Sequence, residues 1–300
     1  MQKTELLAPK SGSGIQTSAD SVDDCQAPGA LEQGVAQGTS FDDHNALPAV
    51  SHPRKLTETP VTHFYITGFG RFALIEDNPT ETIVHRLRAM FEDSTVQAAW
   101  RQRLVHIADL QVLKVSATAV HEAIADMKAR CIKAQQAPKS SPCAGRNPVC
   151  FIHLGVDVSA DGFSIERVAV NEAMFRFPDE CGWQPTTPVP VVDTEPLGAQ
   201  YSHDLDALSA ICARTRSRLL ERGLNSSPIR IGNDAGRFLC NYLFYLSAHE
   251  RVLSNGEILW QTHFVHCPTT RVASLENQME TLLAFLCAIA EWNAQHDIAN

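Results

Sequence analysis

The sequence predicts a three-layer α/β/α single domain with a mostly parallel, twisted sheet, preceded by a disordered N-terminal tail. Apolar strand-like runs alternate with amphipathic helical segments over residues 61–300, as is typical of parallel sheets covered by helices on both faces. Hydrophobic residues make up 44% of the 300 residues, which is enough for the core of one such domain. Residues 1–60 are instead rich in Ser, Gly, Gln, Asp and Pro without periodicity, so we expect no core there.

The first half of the domain contains most of the predicted strands. Residues 63–67 form a β-branched and aromatic run that predicts a buried strand ended by Gly68. Apolar residues recur at helical spacing over 118–135, which predicts an amphipathic helix. By the same criteria we predict a helix at 79–91 and strands at 105–107, 111–115, 149–154 and 163–170.

The second half opens with a proline-rich segment at 177–190, which predicts an extended loop. A helix is expected over 205–222, because Gly223 supplies a typical C-terminal stop. A short strand at 229–232 is followed at once by a helix that contains Cys240. A final strand at 258–266 and a final helix at 275–293 complete the prediction.

Composition excludes several classes of protein. The net charge is −9 and basic residues do not cluster, which argues against nucleic acid as a partner. No apolar run approaches the roughly 18 residues of a membrane-spanning helix, and residues 1–14 lack the apolar core of a secretory signal. Nine cysteines without a C-x-x-C pair predict neither a disulfide framework nor a structural zinc site. We therefore expect a cytoplasmic protein in a reducing compartment.

Cys240 is a candidate nucleophile. It stands near the start of the helix that follows the strand at 229–232, and Gly236 permits a tight turn before it. The positive end of a helix stabilises a thiolate, and its free N–H groups suit an oxyanion. The alternative is a buried structural cysteine, which spacing alone favours.

His266 is a candidate general base. It ends an apolar strand, and the carboxyl ends of strands in α/β sheets are where active sites collect. One alternative is a core histidine that bonds only to backbone. Another is a metal pair with His263, but residues three apart on a strand point to opposite faces, so this alternative is weak.

Glu166 is a candidate third member of the same site. It lies within the apolar segment 163–170, where a carboxylate needs a partner. A thiol, an imidazole and a carboxylate together form an activated nucleophile, with the carboxylate holding the imidazole in its productive tautomer. The alternative is an ion pair with Arg167 or Arg176.

These three segments match known motifs. Residues 235–241 read Ala-Gly-x-aromatic-apolar-Cys-Asn, and residues 264–268 read aromatic-aliphatic-His-x-Pro. Residues 163–171 read x-Ser-x-Glu-Arg-x-Ala-x-Asn, with Phe163 in place of an aliphatic residue. The chain thereby resembles the pyroglutamyl peptidase I family of cysteine peptidases over roughly residues 62–270. The resemblance implies Cys240 as nucleophile, His266 as base and Glu166 as its orienting group, with no metal and no other cofactor.

The resemblance also implies a pocket for the pyroglutamyl ring. Residues 67–72 match a Thr-Gly-Phe-x-x-Phe motif whose two aromatics, Phe69 and Phe72, line that pocket in the family. A small, flat, uncharged lactam suits aromatic walls with backbone hydrogen bonds. Taken alone, two phenylalanines near a strand end favour plain core packing.

Arg176 is implied as a further site residue. Residues 175–179 match the family's Ala-Arg-Ile-Pro-Asp, which makes Arg176 a group that stabilises the oxyanion or its geometry. The alternative is a surface arginine paired with Asp179 or Glu180.

Three positions depart from the common bacterial form of the family. Asp234 and Arg237 flank Ala-Gly, and Arg71 replaces a proline in the first turn. The Asp234 charge disfavours a thiolate beside it unless Arg237 offsets it. The Asp-Ala-Gly-Arg-Phe form at 234–238, with Asn-Glu-Ala at 171–173 and Gly-Trp at 182–183, resembles a branch of the family found in plants and trypanosomatid protozoa.

The resemblance implies an omega peptidase that removes N-terminal pyroglutamate from peptides and proteins. Its expected partners are such peptides and neither nucleic acid nor membranes; a homo-oligomer is open, since some relatives are tetramers and others monomers. One rival function is a glutaminase-like amide hydrolase with the same Cys-His-Glu groups. The other is a non-catalytic pyroglutamyl-binding module.

Overall fold

A computed structural model of the protein describes residues 59–72, 75, 78–135, 147–224, 228–252 and 260–296. The predicted tail, apart from residues 59 and 60, lies outside the described residues. The elements in chain order are β1 Thr62–Phe69, α1 Pro79–Phe91, α2 Ser94–Arg101, β2 Val105–Leu113, α3 Ala117–Gln135, β3 Val149–Val156, β4 Phe163–Glu166, β5 Val168–Val170, β6 Gln200–Ser202, α4 Leu205–Glu221, β7 Ile229–Gly232, α5 Leu239–Glu250, β8 Gln261–Cys267 and α6 Leu275–His296.

The main sheet has six strands in the order β2-β1-β3-β8-β4-β7. Strands β1, β2, β3 and β8 are parallel to one another, whereas β4 and β7 are parallel to each other and run against β8. Strands β5 and β6 form a separate two-stranded antiparallel sheet. The prediction of a mostly parallel α/β sheet is confirmed.

Two apolar clusters cover the two faces of the sheet. One joins β1, β3 and β8 to α1, α4 and α6. The other joins the opposite face to α3 and α5, and includes Phe151, Trp260 and Phe264. The three-layer prediction is therefore confirmed, and the layer with α3 and α5 is the one that carries Cys240. Among the described residues, no helix has both the length and the apolar character to cross a membrane.

Two strand predictions were wrong in their limits. The segment 163–170 is not one strand: β4 ends at Glu166 and β5 pairs with β6 instead. The chain changes sheets at Arg167, whose N–H donates to the carbonyl of Gly232 and whose carbonyl accepts from the N–H of His203. Conversely, the segments 105–107 and 111–115 belong largely to one strand, β2, which pairs with β1 through a register shift.

Helix α2 was not predicted. None of its eight residues is buried, and only Val96 and Trp100 pack partly buried against the core. Its apolar repeat is thus a single i, i+4 pair, which is too short to predict a helix. Its start is instead marked by Asp93, whose side chain accepts a hydrogen bond from the N–H of Thr95 at 2.8 Å.

Candidate active site

The register of two antiparallel strands brings Glu166 to His266. Glu166 pairs with Phe264 across β4 and β8, and His266 lies two residues further along β8 on the same face. The Nδ1 atom of His266 is 2.9 Å from Oε1 of Glu166. Both side chains are buried, with 11% and 3% of their surfaces exposed. The alternative of an ion pair between Glu166 and an arginine is not what the structure shows.

Cys240 is the second residue of α5, and its thiol faces this pair. Gly236 adopts a φ of 80°, the left-handed conformation that glycine tolerates best, and so turns the chain into the helix. Phe238 is the N-cap and provides no side-chain hydrogen bond to the first turn within the described part of the chain. The first N–H groups of α5 therefore remain available for an anion beside the thiol.

The residue after Cys240 holds the start of α5 in place. Asn241 is fully buried, and its Oδ1 accepts from the N–H of Val170 at 2.8 Å. Its Nδ2 donates to the carbonyls of Val170 and Glu172, at 2.8 and 2.9 Å. These three bonds tie the nucleophile's helix to the segment that follows Glu166, so two parts of the site are linked by a buried clamp.

The charge state of His266 follows from its neighbours. Burial lowers the pKa of His266, but the charge on the Cys240 sulfur, a hydrogen bond with that sulfur and the contact with Glu166 outweigh it. Together they raise the pKa of His266 to about 10. A protonated imidazole between a sulfur and a carboxylate is the arrangement of a thiolate–imidazolium pair.

Asp234 and Arg237 neutralise each other beside the nucleophile. The Nη1 atom of Arg237 is 2.7 Å from Oδ1 of Asp234, and its Nε is 3.4 Å from Oε1 of Glu172. The same Asp234 oxygen accepts from the N–H of Gly236 at 3.0 Å. The positive charge of Arg237 therefore offsets the negative charge of Asp234, which would otherwise disfavour a thiolate at Cys240. Asp234 also stabilises the turn.

An aromatic cluster lies next to Cys240. The ring centroid of Phe238 is 5.4 Å from that of Phe72, 5.1 Å from that of Phe177 and 4.6 Å from that of Phe175. Phe177 is 47% exposed, and Phe72 is half-buried, so ring surface remains available at the mouth of the site. Phe72, which the resemblance assigns to ring binding, belongs to this cluster, and Phe177 and Phe238 are further members to which no role was assigned from the sequence.

Phe69 is placed differently from Phe72. It is only 4% exposed and belongs to the apolar cluster under α3 and α5. In this structure it supports the cluster from within. Its backbone carbonyl also accepts from the Thr80 hydroxyl at 3.0 Å, which fixes the start of α1.

Arg176 is exposed and forms no ion pair with any residue that the structure describes. The carboxylates proposed as its alternative partners bind backbone instead. Asp179 accepts from the N–H groups of Cys181, Trp183 and Ala117 at 2.8 to 2.9 Å. Glu180 accepts from the N–H of Val115 at 2.7 Å. These bonds attach the loop after Arg176 to the start of α3 and leave the guanidinium free to meet a ligand.

Two further residues shape the site: Asn171, which ends the glutamate motif, and Gly155, to which no role was assigned from the sequence. Asn171 is fully buried; its Oδ1 accepts from the N–H groups of Val191 and Val192, which folds the proline-rich loop onto β5. Gly155 ends the apolar part of β3 and pairs with His266 across β3 and β8. A glycine inside a predicted strand is itself a sign of close approach by another group, and that sign could have identified Gly155.

His263 and His266 do not form a metal pair. His263 stacks on His203 with a centroid distance of 4.6 Å and lies against Phe285 of α6. His266 lies on the opposite face with Phe264 and Glu166. The strand alternation that made this alternative weak is what separates the two rings.

Comparisons with known proteins point to one family of peptidases. The model of the pyroglutamyl peptidase family matches residues 62–281. The pyrrolidone-carboxylate peptidase of Clavibacter michiganensis is 28% identical over 204 residues, covering 68% of this chain and 76% of that protein. The enzyme of the same name from Pyrococcus furiosus is 33% identical over 124 residues, covering 40% of this chain; this match spans about half, 52%, of the Pyrococcus protein.

Solved structures of such peptidases share the fold. The pyrrolidone carboxyl peptidase of Thermococcus litoralis superposes with a TM-score of 0.56 at 22% identity, covering 78% of this chain and 96% of that one. A mutant form of the Pyrococcus furiosus enzyme gives a TM-score of 0.55 at 26% identity, covering 77% and 99%. The similarity therefore extends over nearly the whole length of the solved chains.

Proposed function

Since the chain belongs to the pyroglutamyl peptidase family, we propose that it is a cysteine exopeptidase that removes N-terminal pyroglutamate from peptides and proteins. The observation that carries the proposal is the convergence of three distant segments on one buried site. Glu166 and His266 are 100 residues apart in sequence, and their side chains are 2.9 Å apart in space. The Cys240 sulfur lies over Gly155, the residue that pairs with His266 across β3 and β8, and its charge raises the pKa of that imidazole.

The proposed reaction uses the side chains of this site in turn. The Cys240 sulfur attacks the carbonyl carbon of the pyroglutamyl residue, and His266 donates its proton to the leaving amine. A water molecule, deprotonated by His266, then releases pyroglutamate from the thioester. Glu166 keeps the imidazole in the tautomer and orientation that both transfers need, and stabilises its charged form.

The oxyanion of each tetrahedral intermediate is assigned to the start of α5. The first-turn N–H groups point out of the helix end beside Cys240, and no side-chain cap from Phe238 competes for them in the described part of the chain. Arg176 is assigned a supporting role in stabilising the oxyanion. Its exposed side chain lies between Phe175 and Phe177 in sequence, and the rings of both neighbours pack against Phe238.

Specificity is assigned to the aromatic cluster around Phe238. Phe72 and Phe177 flank Phe238 at 5.4 and 5.1 Å and offer ring faces to a flat lactam. Such walls hold no counter-charge for an α-ammonium group. Burying an unpaired ammonium costs several kcal/mol, so we expect free-amine glutaminyl peptides to be disfavoured by roughly a thousandfold.

We further propose that residues 61–300 form the hydrolytic domain and that residues 1–60 are a tail without a role in the chemistry. The peptidase is proposed to act in the cytoplasm on peptides that begin with pyroglutamate. Neither nucleic acid nor a membrane enters the proposal, because the chain has a net charge of −9 and no clustered basic residues.

The function is tested by incubating the full chain with a pyroglutamyl peptide and with the same peptide beginning with glutamine. Mass spectrometry should detect free pyroglutamate and the shortened peptide from the first substrate only. The Cys240→Ser variant is the matched control and should leave both peptides intact.

The two rivals make different predictions in the same assay. Turnover of the glutamine peptide with release of ammonia would replace the proposal with a glutaminase-like activity. Saturable binding of the pyroglutamyl peptide without any cleavage by the wild-type chain would indicate a binding module.

A further inference from the structure

We propose that Gly155 is a positioning residue for the reaction: the absence of a side chain there provides the space in which the Cys240 thiol lies beside His266. This inference rests on the proposed function, since it assumes that Cys240 is the nucleophile. It assigns a role in the site to a residue that contributes no reactive group.

The register of the sheet puts Gly155 directly beside the imidazole. Gly155 pairs with His266 across the parallel strands β3 and β8, so a side chain at either position would rise from the same face. A Cβ atom built on Gly155 would lie 3.0 Å from the Sγ of Cys240. It would lie 2.8 Å from Cζ of Phe264, whereas ordinary carbon contacts begin near 3.5 Å.

Backbone conformation does not explain this glycine. Left-handed φ angles occur at Gly182, Gly198, Gly223 and Gly236 among the described glycines, and Gly155 is not one of them. An alanine could therefore adopt the backbone of β3 at this position. An alanine is excluded instead because its Cβ would overlap with the side chains of Phe264 and Cys240.

Neither neighbour can retreat as a whole. Phe264 is fully buried and contacts the rings of Phe244 and His266, at 6.0 and 5.0 Å between centroids. The backbone of Cys240 is held by the three hydrogen bonds of the next residue, Asn241, two with Val170 at the end of β5 and one with Glu172. The motion with the fewest consequences is rotation of the thiol about its Cα–Cβ bond, away from the imidazole.

The inference predicts a specific defect in Gly155→Ala. A thiol that is rotated away from His266 can no longer transfer its proton to the imidazole, and its sulfur is no longer oriented to attack the carbonyl carbon. A displacement of about 1 Å in an active site can reduce the rate about a hundredfold, and we expect a fall of that order in kcat. KM should stay within a few-fold, because the three atoms nearest to the added methyl group belong to Phe264 and Cys240 and not to Phe72, Phe177 or Phe238.

The test measures thiol reactivity together with turnover. All proteins carry Cys181→Ser, because Cys181 is exposed and would also react with iodoacetamide. Gly155→Ala should alkylate at Cys240 at least tenfold more slowly than its parent, as measured by peptide mapping, while keeping its circular dichroism spectrum. The matched control is Leu87→Ala on α1, which is fully buried on the opposite face of the sheet. It should lower the melting temperature and leave both rates per folded molecule unchanged.

A second variant separates the two contacts. Phe264→Leu removes the ring atoms nearest to the added methyl group. In that background Gly155→Ala should therefore lower the melting temperature less than it does in the parent, whereas alkylation of Cys240 should remain slow. Parental thiol reactivity and kcat in folded Gly155→Ala would overturn the inference. So would recovery of both rates in the double variant, which would show that the ring contact alone causes the defect. Activity of Cys240→Ser would instead refute the proposed function itself.

Discussion

His263 and His266 lie three residues apart on β8 and are equally hidden, with 5% and 8% of their surfaces exposed. Their protonation is opposite. The pKa of His263 is lowered to about 4, because burial disfavours the charged ring and the charge of Arg251 adds to that effect. The pKa of His266 is raised to about 10, although burial lowers it as well, because the charge of Cys240 and, next to it, that of Glu166 favour the protonated ring.

The difference shows that burial alone does not decide the state of a histidine in this sheet. Among the described residues, Nδ1 of His263 has no hydrogen-bond partner, and its neighbour on the ring face is another neutral imidazole, His203. His153 on β3 behaves in the same way: its pKa is lowered to about 3 by burial, and its Nδ1 contacts only the Thr67 hydroxyl at 2.8 Å. Of these three histidines, only His266 has negatively charged neighbours, and only its pKa is raised.

Removing the Cys240 sulfur should have the largest effect, both on activity and on the difference in pKa between His263 and His266. Cys240→Ser should lower kcat/KM by about 10⁴-fold or more, because the nucleophile is lost. In Cys240→Ala the pKa of His266 should also fall, since the first of its charged partners is gone, and NMR titration of labelled histidines would measure this. A Cys240→Ser variant that keeps more than about a tenth of the wild-type rate would disprove the mechanism.

Neutralising the carboxylate should have the second largest effect. Glu166→Gln keeps the shape but removes the charge that raises the pKa of His266, so that pKa should fall and the alkaline limb of kcat/KM should move to lower pH. We expect kcat to drop by about 10² to 10⁴, as lost control of the imidazole does in related triads. A purely structural Glu166 would change the melting temperature alone and leave the pH profile in place.

Truncating the ring cluster should weaken binding without touching the histidines. Phe72→Ala should raise KM for a pyroglutamyl substrate about tenfold, because a ring face that contacts the lactam is lost. The rate of Cys240 alkylation and the pKa of His266 should match those of the parent. A change in either of them would show that Phe72 supports the acid–base pair rather than the substrate.

The neutral histidines should make the fold sensitive to acid. Because the pKa of His263 is about 4 in the folded chain and 6.5 ordinarily, the unfolded chain binds more protons between these pH values. The contribution of His263 to the free energy of unfolding is therefore complete above about pH 6.5 and is lost as the pH falls towards 4. Calorimetry should show the melting temperature decreasing over this range, with a shallower slope in His263→Phe. An unchanged slope would mean that other groups dominate acid unfolding.

Deleting residues 1–59 should have the smallest effect. Their composition cannot build a core, and we expect kcat/KM to stay within a few-fold of the full chain. The pKa values of His263 and His266 should also be unchanged by NMR. A large loss of activity would show that the tail supports or closes the site.

Local pattern was sufficient for most elements of the fold. Helical period identified α3, the stop at Gly223 marked the end of α4, and apolar runs identified β1, β3 and β8. Local pattern did not predict features that depend on contacts between residues distant in sequence. Helix α2 buries none of its described residues, and the break at Arg167 is made by bonds to Gly232 and His203, which lie far away in sequence.

The sequence by itself determined which chemical groups are present and where each sits within its element: a cysteine in the first turn of a helix, a histidine at a strand end and a glutamate in an apolar strand. Only the tertiary structure decided in which direction the pKa of each histidine shifts, which phenylalanines cluster around Phe238 and which atoms face Gly155. These outcomes depend on the register of β4 and β3 against β8 and on contacts across 100 residues of chain, as between Glu166 and His266. Such contacts exist only once the sheet has formed, and no local periodicity encodes them.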